Sequence, residues 1–299
     1  MFTKPLKTDF HKRLDILQKR KALTKDQQNL LKHLNNGHEG EKHFFQMLQD
    51  HLQCDPIQLY NLHLKVGGSE CQIDSLLIFQ HEILLFEIKN YQGDFLIDHN
   101  KWYKPPKREI KNPLHQLQRT ELILKQFLHE NNMPLTIQSH LVFINPEFHL
   151  YQASQNLPAI FPTQLKRFIY KLKNIPSERH HQFVQSLKNR HVKTSAFESN
   201  ILYDYQDLKK GITCEKCHGI MEMYNNGQLM HCATCKNIDY ANQSILKSIN
   251  DFRTLFPEQK LTVKQISSWL GSDISDFRIR TVLSNNFQTE GKGKNTHYV

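Results

Sequence analysis

CQIDSLLIFQHEILLFEIKNYQG, residues 71–93, is the stretch that decides the fold. Two apolar runs, 71–79 and 82–91, flank a short polar turn at Gln80-His81. Runs of this length, rich in Ile, Leu and Phe and bounded by turn residues, read as β-strands, and the tight spacing predicts a hairpin. Glu87 and Lys89 interrupt the second run two residues apart, so a strand projects both from one face. Charge buried without a partner costs on the order of several kcal/mol. The pair therefore needs each other, a further group or a ligand. Asp74 poses the same problem on the first run, between Ile73 and Ser75. A hairpin turning at 80–82 brings it near Glu87.

Two carboxylates brought together repel unless a hard cation lies between them. Mg²⁺ or Mn²⁺ suits the pair, because such ions take oxygen ligands and often only one or two carboxylates. The carbonyl of Ile88 can add an oxygen. A cation held by Asp74 and Glu87 binds a phosphate and lowers the pKa of water. Lys89 then positions or deprotonates that water, or offsets charge on the pentavalent transition state. Glu41, upstream, binds the metal through water or orients Lys89. The competing reading is a buried ion pair between Lys89 and one acid.

Outward from the hairpin, LYNLHLKV (59–66) alternates and ends at Gly67-Gly68, a third strand. Residues 38–53 read as a helix, with Phe44, Phe45, Leu48 and Leu52 at helical spacing. Residues 1–36 read as a basic extension of two short amphipathic helices that Asn36-Gly37 breaks off. Lys19, Arg20 and Lys21 read as a solvated face, with a DNA-facing role as the alternative. Residues 94–102 can add a strand. Downstream come a helix over 113–130, a strand over 135–145 and helices over 163–173 and 178–190. The order helix, strands, helix, strand, helix predicts an α/β domain.

On GHEGEKHF (37–44), QIDSLLIF (72–79), LLFEIKNYQG (84–93) and KNPLHQLQRTELILKQFL (111–128), the chain resembles the nuclease-related (NERD) domain of the PD-(D/E)XK superfamily. The resemblance covers about residues 37–150. It implies a restriction-endonuclease-like fold, a central mixed sheet flanked by helices, with Glu41, Asp74, Glu87 and Lys89 on the active-site motifs. It also implies that Gln116 faces the site and contacts phosphate or the attacking water; otherwise Gln116 is a solvated helix residue. Ile73 stands where the superfamily's name has Pro.

Cys214-x-x-Cys217 and Cys232-x-x-Cys235 are the spacing of a Cys₄ zinc ribbon, with Gly227 in the turn between the pairs. Four thiolates leave no open position, so Zn²⁺ there is expected to be structural. His218 and His231 adjoin the pairs as alternative ligands or plain surface residues. Lys209, Lys210, Lys216 and Lys236 give the ribbon a nucleic-acid contact, or the unit is a spacer. Residues 241–299 read helix, helix, turn, helix, basic hairpin. That order predicts a winged-helix-like unit with Arg278 and Arg280 on the recognition helix and Lys292 and Lys294 at the wing tip. A small protein-interaction or dimerisation module is the alternative.

The expected organisation is therefore a helical extension (1–36), a NERD-like nuclease domain (37–200), a zinc ribbon (203–240) and a winged-helix-like unit (241–299). Lys and Arg outnumber Asp and Glu by 39 to 29 over the 299 residues, a formal charge of +10, which favours a polyanionic partner. No apolar run reaches the roughly 18–20 residues of a membrane helix. The opening MFTKPLKTDFHKRLD lacks the apolar stretch of a secretory leader. These features place the protein in the cytoplasm, off the membrane. The expected activity is metal-dependent phosphodiester hydrolysis, in DNA on the strength of the resemblance, serving DNA processing or defence. The alternative is a non-catalytic nucleic-acid-binding or scaffolding protein that keeps the fold. A homo-oligomer or a protein partner is left open.

Overall fold

The computed structural model describes residues 4–106, 108–173, 180–192, 201–271 and 273–299, the side chain of Lys294 excepted. In chain order the elements are α1 (Asp9–Arg20), α2 (Lys25–His51), β1 (Ile57–Val66), β2 (Ser69–Ile78), β3 (Glu82–Lys89), β4 (Gly93–Asp98), β5 (Lys101–Lys104), β6 (Arg108–Ile110) and α3 (Pro113–Glu130). There follow β7 (Thr136–Phe143), β8 (Phe148–Tyr151), β9 (Ala159–Ile160), α4 (Pro162–Tyr170) and α5 (His180–Asn189). The remainder holds β10 (Met221–Tyr224), β11 (Leu229–Cys232), β12 (Ile238–Tyr240), α6 (Ala241–Leu255), α7 (Val263–Leu270), α8 (Asp276–Asn286), β13 (Thr289–Glu290) and β14 (His297–Tyr298). These elements divide into two compact units, one of Met1–Lys7 with Lys32–Glu198 and one of Thr8–Leu31 with Ser199–Val299.

The first unit is built on a mixed five-stranded sheet in the order β1-β2-β3-β7-β9. β1, β2 and β3 are antiparallel neighbours, and β7 joins β3 in parallel after the crossover through α3. Both faces of the sheet are covered, which is why Leu76–Ile78 of β2 and Ile83–Phe86 of β3 are apolar at successive positions rather than alternating. On one face Leu62, Leu64, Leu76, Leu85 and Leu141 pack with Leu117, Leu124 and Phe127 of α3 and with Phe183 and Leu187 of α5. On the other, Tyr60, Leu77, Leu84 and Phe86 pack with Phe44 and Leu48 of α2 and with Leu165 and Ile169 of α4. This is the central mixed sheet flanked by helices that the resemblance implies. A second sheet, β6-β5-β4-β8, carries the segment expected to add a strand at 94–102.

The helix break expected at Asn36-Gly37 does not occur, since α2 runs through both residues from Lys25 to His51. The physical reason is tertiary. Asn36 and Asn90 exchange hydrogen bonds, Asn36 Nδ2 to Asn90 O at 2.9 Å and Asn90 Nδ2 to Asn36 O at 2.9 Å. Asn, a turn former when free, is here satisfied by the residue that directly follows β3. One turn later Gly40 admits that partner, for a Cβ at residue 40 would lie 2.8 Å from Asn90 Cβ.

In the second unit α1 supplies Leu14 and Leu17, both fully buried, to a core with Ile249, Phe252, Ile266 and Trp269. The reading of Arg20 as part of a solvated face is corrected by its 2% exposure. Its guanidinium donates to Lys209 O at 2.8 Å, Gly211 O at 3.1 Å and Ser248 Oγ at 3.0 Å, and lies 3.8 Å from the centre of the Trp269 ring. Arg is suited to this position because its planar fork stacks on an aromatic while its donors reach separate acceptors. The three-stranded sheet β10-β11-β12 turns at Asn225-Asn226-Gly227, all at positive φ. Thr262 caps α7, Gly271 ends it at φ 85° and Ser275 caps α8. The β13–β14 hairpin follows, and Leu261 bridges to Tyr298. No helix among the described residues is long and apolar enough to cross a membrane.

Candidate functional site

The β2–β3 ladder pairs Ser75 with Phe86, so the next position along it sets Asp74 beside Glu87. Both acids are buried, Asp74 6% and Glu87 2% exposed. Asp74 Oδ2 accepts the backbone N–H of Ile88 at 2.9 Å. Lys89 Nζ donates to Glu87 Oε1 at 2.6 Å and to Gln116 Oε1 at 3.0 Å. Gln116 reaches the site from the first turn of α3, whose start is fixed by Pro113 behind the capping side chain of Asn112. Glu41, on α2, has Oε2 2.6 Å from Asn61 Nδ2 and 3.8 Å from His38 Nδ1. The β1–β2 ladder skips Asn61 and Asp74, and Asn61 sits at φ 49°, a conformation Asn tolerates better than most residues. A local break in pairing thus lies at the acidic site.

The electrostatics follow from burial. Loss of water pushes the Asp74 carboxyl well above the ordinary carboxylate range, and the charges of Glu87 and Glu41 push it further, against Lys89 and the Ile88 N–H. Burial also raises Glu87, with Lys89 pulling the other way through charge and hydrogen bond. Burial alone would lower Lys89, but Glu87, Asp74 and Tyr91 together hold it above its usual value. One ammonium therefore serves more negative charge than it can neutralise. A hard divalent cation fits that excess, because its donors here are oxygens and Mg²⁺ needs only one or two carboxylates from a protein.

Four thiols form a second site. The ligand atoms of Cys214, Cys217, Cys232 and Cys235 all lie within 4.8 Å of one another. Cys214 Sγ is 3.6 Å from Cys235 Sγ, and Cys217 Sγ is 3.4 Å from Cys232 Sγ. Tetrahedral thiolates at a Zn–S distance of about 2.3 Å stand about 3.8 Å apart, so little movement would be needed to hold a metal ion. Among the described residues this is the one cluster of three or more metal-binding side chains so gathered, and neither His218 nor His231 belongs to it.

The basic residues of the C-terminal unit are placed differently from one another. Arg278 donates from Nε to Asn242 Oδ1 at 2.9 Å and from Nη1 to the carbonyl of Gly227. It ties α8 to α6 and to the ribbon turn, which leaves part of its fork for a ligand. Arg280 and Lys292 are exposed. The side chain of Lys294 lies outside the described residues.

Sequence reasoning missed Asn61, the partner of Glu41, and two further residues that share a cavity wall with Gln116. Gln72 Nε2 is 3.4 Å from Asp74 Oδ1, and Arg119 lies one helical turn beyond Gln116. Spacing held both signals, i−2 from Asp74 on a strand and i+3 from Gln116 on a helix.

No curated protein and no solved structure matches the chain. Residues 36–144 do match the family model described as the nuclease-related domain, NERD, and Glu41, Asp74, Glu87, Lys89 and Gln116 all fall inside that match.

Proposed function

We propose that residues 37–200 form a metal-dependent nuclease that hydrolyses phosphodiester bonds in DNA. The observation that supports this most is the meeting of Asp74, Glu87, Lys89 and Gln116 at one edge of the β2–β3 hairpin. Asp74 and Glu87 would hold Mg²⁺ or Mn²⁺, which when bound supplies Lewis-acid activation of phosphate and water. Lys89, held by Glu87 and Gln116, keeps its proton and offsets charge that develops on the phosphate. Gln116 orients Lys89 and offers its amide N–H to a phosphate oxygen. Glu41, steadied by Asn61, adds negative charge that strengthens cation binding.

The remaining units would serve the same substrate. A structural Zn²⁺ on the four thiols would fix the ribbon over 203–240. The order of three helices and a hairpin over 241–299 supports a winged-helix-like reading, with Arg280 and Lys292 toward phosphates and Arg278 chiefly bracing the helix.

The test is cleavage of labelled single- and double-stranded DNA and RNA with Mg²⁺ or Mn²⁺, comparing the wild type with Glu87→Ala and Lys89→Ala. Cleavage lost in both variants, with binding kept, is the expected result. Cleavage that survives both, or binding with no cleavage by the wild type, would leave a nucleic-acid-binding scaffold. The direct Lys89–Glu87 ion pair at 2.6 Å is what favours that second reading, since it satisfies part of the site without a cation.

A further inference from the structure

The second unit carries a cavity of about 570 Å³ where the first turns of α1, the last turns of α6 and β14 come together. Small-ligand sites run from roughly 300 to 1,000 Å³, so this one has room for more than a single ion. Every residue of its lining belongs to the second unit, and loss of Glu87 or Lys89 would leave it intact.

Three cations line the cavity: Arg13 from α1, Arg253 from α6 and Lys260 from the loop that follows. Among the described residues none of the three side chains has a hydrogen-bond or ion-pair partner. The Arg13 Nε is buried and unsatisfied, a state that buried donors rarely keep without a ligand or water. The Arg253 guanidinium lies 5.0 Å from the centre of the Phe287 ring, a contact that uses none of its five donors. Of the acidic side chains in the lining, Asp9 is matched by Lys12 at 2.8 Å, which leaves Glu258. Three unmatched cations against one carboxylate make the cavity positive.

The rest of the lining is not what a bare anion needs. Phe256 borders the cavity half-buried, with the rings of Tyr203, Tyr205 and Phe252 at 5.9, 5.6 and 5.2 Å from its own. Such a cluster fixes an aromatic edge on which a flat ring can lie. Asn250, exposed on α6, lines the same space and has an amide that makes no hydrogen bond among the described residues. An amide offers both donors and an acceptor to the edge of a heterocycle.

We propose that this cavity binds a nucleoside phosphate. Arg13, Arg253 and Lys260 hold the phosphate, because guanidinium and ammonium groups match its charge and its acceptor oxygens. Phe256 carries the base, and Asn250 meets the base edge. The same chemistry is offered by a free nucleotide and by the phosphorylated end of a nucleic-acid strand.

The experiment measures binding of ADP, of inorganic phosphate, and of one short DNA strand with and without a 5′-phosphate, to the full chain by titration calorimetry without added Mg²⁺. The variants are Arg13→Gln, Arg253→Gln, Lys260→Gln and Glu87→Gln, each checked by a thermal melt without ligand. Arg253 and Lys260 are exposed, so their variants keep the test open if Arg13→Gln fails to fold. ADP is expected to bind once per chain, roughly tenfold more weakly in Arg253→Gln, more weakly in Lys260→Gln, and equally well in Glu87→Gln. A strand whose affinity rises with its 5′-phosphate and falls in the same variants, in a chain that ignores ADP, would make the strand end the ligand. The proposal is overturned if ADP does not bind and the 5′-phosphate makes no difference. It is also overturned if binding is unchanged in Arg253→Gln and Lys260→Gln, if Glu87→Gln abolishes it, or if inorganic phosphate binds as tightly as ADP.

Discussion

The Asp74 carboxylate takes its hydrogen bond from Ile88, the residue between Glu87 and Lys89, at 2.9 Å. The bond holds an acid of β2 against β3 at the point where the strand turns from apolar to charged. It also favours the ionised form of Asp74, yet burial and the charges of Glu87 and Glu41 outweigh it.

A carboxyl with a raised pKa binds its proton more tightly in the folded state than in the unfolded chain. Stability linked to Asp74 is therefore complete below its ordinary value of 3.8 and is lost as pH rises through the raised value. Asp74→Asn removes the charge and keeps an oxygen for the Ile88 N–H. Without metal, the variant is expected to melt a few degrees above the wild type near pH 8, a gain of about 1 kcal/mol or more, and to approach it near pH 4. Mg²⁺ should close the gap by stabilising the wild type alone. Thermal melts across that range, in chelator and in Mg²⁺, check both signs. Identical curves at the alkaline end would remove the buried charge from the account.

Lys89 and Glu87 form a buried pair, and removing one partner strands the other. Lys89→Met is expected to cost roughly 3 kcal/mol, less if Glu87 takes up a proton. Adding Glu87→Gln to that chain should recover most of the loss, because no uncompensated charge remains. Urea unfolding of the two single variants and the double variant gives the coupling. Simple addition of the single effects would show that the 2.6 Å contact carries no energy.

The glycines of α2 separate packing from helix propensity. Gly37→Ala places a methyl where nothing lies within 4 Å, and should stabilise the helix by up to about 1 kcal/mol. Gly40→Ala gains the same propensity but drives its Cβ to 2.8 Å from Asn90 Cβ and 3.3 Å from Ile144 Cγ2. Overpacking of that kind costs roughly 1–3 kcal/mol, so the net effect should be destabilising. Chemical denaturation of the two variants side by side should give opposite signs; matching signs would mean that α2 and β3 are not held as closely as described.

Much of the first unit is legible in the sequence because periodicity reports burial. Glu87 and Lys89 stand out on an apolar strand, and their spacing alone puts them on one face. Gln116 became visible through resemblance, since a helix residue 27 positions from Lys89 carries no local sign of its partner. Asn36-Gly37 misled for the same reason in reverse. Its turn chemistry is local, whereas the bonds to Asn90 that keep the helix intact come from 54 residues away. Arg20 looked solvated beside two lysines because charge composition says nothing about a Trp ring arriving from residue 269.

The thiol cluster predicts a dependence on metal. The chain as isolated is expected to hold one Zn²⁺, and Co²⁺ put in its place should give the absorption of a tetrahedral thiolate site. Chelation should collapse β10–β12, since metal-binding energy in a small ribbon is folding energy. Hydrogen exchange of Met221–Tyr240, followed before and after chelation, reports it. Cys232→Ser should lose the metal, whereas Cys54→Ser and Cys71→Ser should keep it. Equal metal content in all three variants would rule out the four-thiol site.

The helix α1 shares a compact unit with elements far along the sequence, Thr8–Leu31 with Ser199–Val299. During synthesis α1 therefore emerges well before Trp269 and Ser248, with Lys32–Glu198 made in between. Along the chain the two units alternate, and Lys32–Glu198 of the first separates the two segments of the second. Domains generally fold as units in the order they appear, so the central unit should be complete while α1 still waits with Leu14 and Leu17 uncovered. A fragment beginning at residue 36, the edge of the family match, would keep Glu41, Asp74, Glu87, Lys89 and Gln116 and yet deprive the second unit of the guanidinium on which its Trp is stacked.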